Sequence, residues 1–279
     1  MGEIGDFLRA HRAAIDPGSL GLTGSGHRRV PGLRREELAV MAGVSAEYYT
    51  RIEQGRVRPS TQVVDAIAEA LGLVEPERRH LQALVRPAAV AAPQVRAIPP
   101  VIEQIFASLT LPAIVVGVGA DVLAFNALAE EAVFPFGAVG PERRNFVRIV
   151  FTESGFRERD PDWQVTAERW VAFLRADVGR DTADARVRAL VQELCAELVD
   201  FVELWSRQRV GEKISGRKRF RHPELGEYEL DFATLEVADA PGISLIVYSA
   251  AAGTSGERTL NELSAARSSR SAASTLTCG

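Results

Sequence analysis

Glu47, Thr50 and Arg51 stand three and four residues apart in GVSAEYYTRIEQGR (43–56). On a helix they share one face with Ala46, while Tyr49 and Ile52 turn inward. A guanidinium on an outward helix face is a fork of donors that matches the O6 and N7 acceptors of guanine in the major groove. Glu47 can accept from a cytosine amine, or orient Arg51 from one turn away. Arg34 and Arg35 precede this segment, and Arg56 and Arg58 follow it. Cations placed that way suit phosphates, which position a protein on a duplex and give most of its salt-dependent affinity. Seven Arg stand against four Glu in residues 27–58, although the whole chain carries a net charge of -4. Residues 1–87 hold 12 Arg against 11 Asp and Glu, and the remainder holds 21 Lys and Arg against 26 Asp and Glu. The acidic excess therefore belongs to the C-terminal part, and double-stranded DNA is the partner expected of the N-terminal part.

Chemistry of other kinds has little behind it. The four histidines (His11, His27, His80, His222) show no metal spacing, and no Ser/His/Asp or Cys/His set is visible. Glu130 and Glu131 are adjacent, so on a helix they do not face one site. Gly117-Val118-Gly119 lacks the third glycine of a dinucleotide loop and runs into another strand pattern, so a hairpin is expected. Cys195 sits in an apolar helical pattern and reads as core; Cys278 lies in the tail, and no disulfide framework or CxxC pair is possible. The chain is expected to be no enzyme, and to hold neither metal nor cofactor. A binding cavity fits better, because the middle of the chain is rich in aromatics. Trp163, Trp170 and Phe173 are candidate walls, and Asn126, Arg144, Asn145, Arg219 and His222 candidate polar anchors. Any single aromatic there is more simply core, but small-ligand pockets combine apolar walls with a few polar groups.

The elements that must position these residues follow from periodicity. EIGDFLRAHRAAI, LRREELAVMAG, SAEYYTRIEQG, RPSTQVVDAIAEALGL and EPERRHLQALV predict five helices within residues 1–86. Ser45 is a good N-cap and Gly55 a good stop. Ala39 is small enough for two helices to cross closely, Gly43 leaves the first of them at positive φ, and Val44 plugs the turn. Two helices joined in this way form a helix-turn-helix. LVRPAAVAAPQVRAIPP, with four prolines, predicts a linker at 87–97. Residues 98–252 read as a helix, a strand hairpin, several helices and three further strands: KISGRKRFRH, GEYELDFATLEV and ISLIVYS. The alternation of Tyr228, Leu230 and Phe232 goes out of phase at Leu235 and Val237, which predicts a bulge near Ala233. Residues 253–279, rich in Ser, Thr, Ala and Gly, read as a disordered tail. The N-terminus lacks the apolar core of a signal peptide, and no apolar run reaches membrane-spanning length; no membrane partner is expected.

The fold class expected is two domains: an all-α Cro/repressor-like helix-turn-helix bundle, then an α+β domain whose antiparallel sheet and one-sided helices resemble the PAS sensory fold. EELAVMAGVSAEYYTRIEQGRVRPS closely resembles the helix-turn-helix of bacterial xenobiotic-response-type regulators. Together with VLAFNALA, RNFVRIVF, WVAFLRADVGR, ELVDFVELWSR and SGRKRFRHPELGEYELDF, it resembles the MmyB-like transcriptional regulators over residues 3–250. The resemblance implies a cytoplasmic, nucleoid-associated regulator whose second domain senses a small apolar effector such as a fatty acid. A homodimer on a two-fold operator is the expected assembly. The alternative is a DNA-binding adaptor whose C-terminal domain is a protein–protein interaction module.

Overall fold

In the computed structural model, the described residues are 3–22, 32–85, 97–180, 184–211 and 215–276. Arg28, Arg29, most of the expected linker and Cys278 lie outside them. The chain opens with helices α1 (Glu3–Ala14), α2 (Arg35–Met41), α3 (Ala46–Glu53), α4 (Thr61–Ala70) and α5 (Glu75–Val85). Next come α6 (Pro100–Ser108), β1 (Ala113–Val116), β2 (Val122–Phe125), α7 (Ala127–Ala132), α8 (Phe146–Thr152) and α9 (Ser154–Arg159). Three helices follow: α10 (Trp163–Arg180), α11 (Ala185–Glu197) and α12 (Val199–Ser206). The chain ends with β3 (Gly216–His222), β4 (Gly226–Glu236), β5 (Ser244–Ser249) and α13 (Ser255–Leu276).

The chain divides into two compact units, one of residues 1–91 with 171–212 and one of residues 92–170 with 213–279. In the first, Phe7, Leu8, Leu38, Tyr49, Ile52, Ile67 and Leu81 form a closed core. Ser45 and Ser60 cap α3 and α4 with their hydroxyls, on Tyr48 and Val63. Gly43 stands at φ 66°, the left-handed conformation the turn between α2 and α3 requires. Residues 171–212, which the sequence groups with the C-terminal domain, belong to this unit. Val210 is part of its core, Ala176 packs against that core, and His11 Nε2 meets the Gln208 carbonyl at 3.2 Å. Burying those apolar groups joins the segment to the helix bundle whatever its position in the chain.

The second unit is built on a five-stranded antiparallel sheet in the order β2-β1-β5-β4-β3. The expected hairpin at Gly117–Gly119 is observed, since β1 and β2 pair antiparallel around a short 3-10 turn. The expected bulge near Ala233 is not: β4 pairs with β5 without a break from Asp231↔Ser249 to Glu236↔Ser244. What changes along β4 is the face. Glu227, Glu229 and Asp231 lie opposite the β3 residues Arg221, Arg219 and Arg217. Further along the same face, Leu245, Val247 and Val237 join an apolar cluster with Ile98, Phe106 and Leu109, from α6 and its flanks. Leu235 keeps phase on a surface that has turned apolar. A register shift lies between Val115 and Val116, opposite β2.

The tail is not structureless where it is described. Helix α13 carries Leu260 and Leu263, both buried, and Gly256 brings its backbone so close to β4 that a Cβ there would stand 2.1 Å from the Glu229 carbonyl. Its Ala, Arg and Glu residues are good helix formers, and two leucines three residues apart suffice to seat the first turns. The expectation of disorder weighed composition and overlooked that spacing.

Candidate nucleic-acid interface and effector domain

The outward face of α3 is the clearest functional surface. Ala46, Glu47, Thr50 and Arg51 line one open groove of about 940 Å³ together with Arg34, Arg35 and Arg56. All seven are sequence-derived candidates that the fold brings together. Arg58 is exposed but does not line the groove. Beneath it Tyr49 and Ile52 are fully buried, which fixes the rotation of the helix. The Thr50 hydroxyl donates to the Ala46 carbonyl at 2.7 Å, leaving its lone pairs and methyl outward.

Arg35 lines the groove and is also engaged within the protein. Its Nε and Nη2 donate to Glu53 Oε1 at 3.0 and 2.7 Å, so the side chain braces α2 against α3. Glu53 is 1% exposed and also faces Arg12, whose Nε lies 3.4 Å from Oε2 and whose Nη1 bonds the Leu33 carbonyl. Burial, with Glu53 beside it, raises the Tyr49 phenol well above its ordinary pKa, so it stays neutral. A buried carboxylate shared by two arginines ties α1, α2 and α3 at the base of the groove. The positions were legible: 49, 52 and 53 share a helical face, so Glu53 had to point inward. Gln54, also missed, falls on the face of Glu47, Thr50 and Arg51 and lines the groove with them.

The candidate anchors of the second unit behave differently. Asn126 caps α7, accepting from the Ala129 and Ala113 amides at 2.9 and 3.1 Å and donating to the Leu111 carbonyl at 2.7 Å. Asn145 is 4% exposed; its amide donates to the Gly119 carbonyl and to Asp121 Oδ1, and its oxygen caps α8. Arg144 donates to the Phe136 and Val139 carbonyls and lies over the Phe125 ring. Each closes a loop by satisfying backbone groups. Arg219 sits on the charged outer face of β3, donating to Asp162 at 2.9 Å. His222 Nδ1 accepts from the Glu224 and Leu225 amides in the β3–β4 turn, and burial followed by Arg159 lowers its pKa.

Of the aromatics, Phe173 is buried and the two tryptophans are partly buried. Trp170 stacks on Phe146 at 4.2 Å, and Trp163 donates to the Val150 carbonyl at 2.6 Å beneath Arg157. Phe173 falls in the first unit, whose boundary cuts α10 just after Trp170. The group missed is Lys218. It points from β3 to the helix-covered face, where Nζ donates to Asp160 Oδ2 at 2.6 Å and to Thr166 Oγ1. Burial drives its pKa down, and Asp160 opposes that shift. Period-two reading of GRKRFRH puts Lys218 on the face of Phe220, so its burial was also legible.

Residues 98–263 match the family model of the MmyB-like transcription regulator ligand binding domain. The chain belongs to that family. Residues 3–81 match a model of the helix-turn-helix domain, the same segment that carries the groove. No curated protein matches the chain. This MmyB-like protein is therefore a DNA-binding transcription regulator with a ligand-binding domain. Among the described residues no helix is long and apolar enough to cross a membrane, and no His, Cys, Asp and Glu cluster could hold a metal ion.

Proposed function

We propose that this MmyB-like regulator reads a specific operator through Ala46, Glu47, Thr50 and Arg51, as a homodimer in the cytoplasm, and that a small apolar molecule of the fatty-acid class sets its DNA affinity. It carries out no catalysis and needs no metal or cofactor. The observation that carries the reading is the groove, where Arg51 is exposed and faces out beside two further uncommitted arginines, Arg34 and Arg56. Arg51 approaches guanine and the other two approach phosphates. The five-stranded antiparallel sheet with helices packed against it in the second unit supports the PAS-like, sensing role. The effector acts by binding one dimer geometry better than another.

Selection of DNA by the purified protein tests it. Arg51→Ala is expected to lose about 1–3 kcal/mol of discrimination at one base pair, while Arg34→Ala weakens all sequences alike and lowers the salt dependence. Unchanged preference in Arg51→Ala would remove α3 as the reading helix. One observation favours the adaptor reading for the second unit: Asn126, Arg144, Asn145 and Arg219 are all committed to internal partners. Solvent extraction followed by mass spectrometry decides between them. A stoichiometric apolar molecule supports the sensor, and a protein that yields none, with melting unmoved by fatty acids, supports the adaptor.

A further inference from the structure

A second concavity lies within the first unit, apart from the DNA groove. Helices α1, α5, α10, α11 and α12 enclose a cleft of about 220 Å³. Arg175 stands in its wall at 6% exposure. Its Nη1 donates to Gln208 Oε1 at 2.6 Å, its Nη2 donates to the Trp205 carbonyl, and its plane lies 3.7 Å over the Trp205 ring. Nε is buried with no hydrogen-bond partner. Five N–H donors with two engaged leave three. Among the described residues no carboxylate stands at ion-pair distance from Arg175.

Burial lowers the Arg175 pKa to about 10, with Glu3, then Cys195 and Asp6, opposing the shift. It is therefore a full charge at neutral pH, removed from water and without a counter-ion in contact. That arrangement is costly unless an anion completes it. The neighbouring His80 supplies no competing charge, since burial, then Arg175 and His11, hold its pKa down at about 3. Gly179 packs directly on the His80 ring. Leu84, Val178 and Val191 give the cleft apolar walls. Glu3 is exposed and Asp6 is paired with Arg9 and half-exposed, so both act through solvent. They oppose a dianion more than a monoanion. At about 30 Å³ per water-sized volume, the space of about 220 Å³ holds about seven such volumes, too small for a long acyl chain.

We propose that this cleft binds a small organic monocarboxylate, with the carboxylate on Arg175 and the body against Leu84, Val178 and Val191. The site touches α1 and α5 of the DNA-binding bundle, so its occupant bears on that bundle without passing through the sheet. Binding stands independently of the effector reading for the second unit.

Calorimetric titration of the full chain with benzoate, benzamide and inorganic phosphate is the test. Benzoate is expected to bind saturably, with benzamide at least tenfold weaker and phosphate a poor competitor. Arg175→Gln should weaken benzoate at least tenfold. Because that variant can misfold, Val191→Trp, which fills the cleft and leaves Arg175 in place, should abolish binding while thermal melting stays cooperative. Absence of saturable benzoate heat up to about 10 mM, equal binding of benzamide, stronger binding of phosphate, or full binding in Val191→Trp would each overturn the proposal. Operator affinity measured with and without benzoate reports separately on effector control: a filled cleft with unchanged DNA affinity leaves the site standing and removes only its regulatory role.

Discussion

The α3 face and the polar groups around the sheet have similar residue types and opposite fates. On α3, Arg51 and Glu47 extend to solvent from a helix whose inner side is fully packed. Around the sheet, Asn126, Asn145 and Arg144 each satisfy two or more backbone groups that loops would otherwise leave bare. A side chain is available to a partner when the fold has no other use for it. In the first region that condition is met by the readers, and the committed residues, Arg35, Arg12 and Glu53, lie directly beneath them. In the second, the residues with the chemistry of anchors are the scaffold.

The sharpest way to break the comparison is to cut the brace under the readers. Glu53→Ala leaves Arg12 and Arg35 facing each other across a buried gap. Removing one member of such a set costs about 3–5 kcal/mol. Denaturant unfolding of the first unit should show that loss, and DNA binding should weaken for every sequence alike. If stability moved by less than about 1 kcal/mol, the buried carboxylate would not be what holds the groove together.

Asn145→Ala is the counterpart in the second unit. It removes the donor to the buried Gly119 carbonyl, the donor to the Asp121 carboxylate and the cap of α8, and a buried group left unmade costs about 1–3 kcal/mol. A fall in thermal stability with unaltered operator affinity per folded molecule is expected. If Asn145→Ala instead kept its stability and lost response to an effector, Asn145 would be a ligand anchor after all.

The difference also explains what could be read from the chain. Helix-turn-helix geometry is local: Ser45, Gly43, Ala39 and the 49/52 spacing specify it within a short stretch, and even Glu53 and Gln54 follow from helical phase. The sheet unit depends on which strand lies beside which, and on which face a helix covers. Leu235 looked out of phase because nothing in GEYELDFATLEV tells that its outer face passes from arginine partners to an apolar cluster. Phe173 stands one helical turn from Trp170 in α10, yet the boundary between the two compact units falls between them. Asn126 and Asn145 were legible as helix caps. What the chain alone could not supply is that each also bonds distant backbone, Asn126 at Leu111 and Ala113 and Asn145 at Gly119.

A pH titration probes the first unit without any substitution. His80 is buried and held at about 3, whereas in the unfolded chain it titrates near 6.5. Between those values the unfolded state binds the extra proton, so stability is intact above pH 6.5 and falls as pH drops toward 3. The slope for one such group is about 1.4 kcal/mol per pH unit. Melting temperature of His80→Phe, which keeps an aromatic ring beside Phe7, should depend less on pH over pH 4–6.5. An identical profile for both proteins would place the pH sensitivity elsewhere.

The smallest effect belongs to Arg219, where the two regions can be compared residue for residue. Arg219 and Arg51 are both exposed arginines, but Arg219 lies against Asp162, itself at a surface, with 47% and 36% of the two side chains exposed. Exposed pairs of this kind contribute little, and salt screens them. Arg219→Ala should therefore shift the melting temperature by a degree or two at low salt and by less in high salt, because Asp162 returns to water without penalty. Operator affinity and preference should be unchanged. Arg51→Ala reverses the pattern, leaving stability within about 0.5 kcal/mol while altering which base pair is preferred. If Arg219→Ala changed operator preference, exposure with an internal partner would no longer separate scaffold from reader, and the outer face of β3 would have to be counted with the DNA-contacting surface.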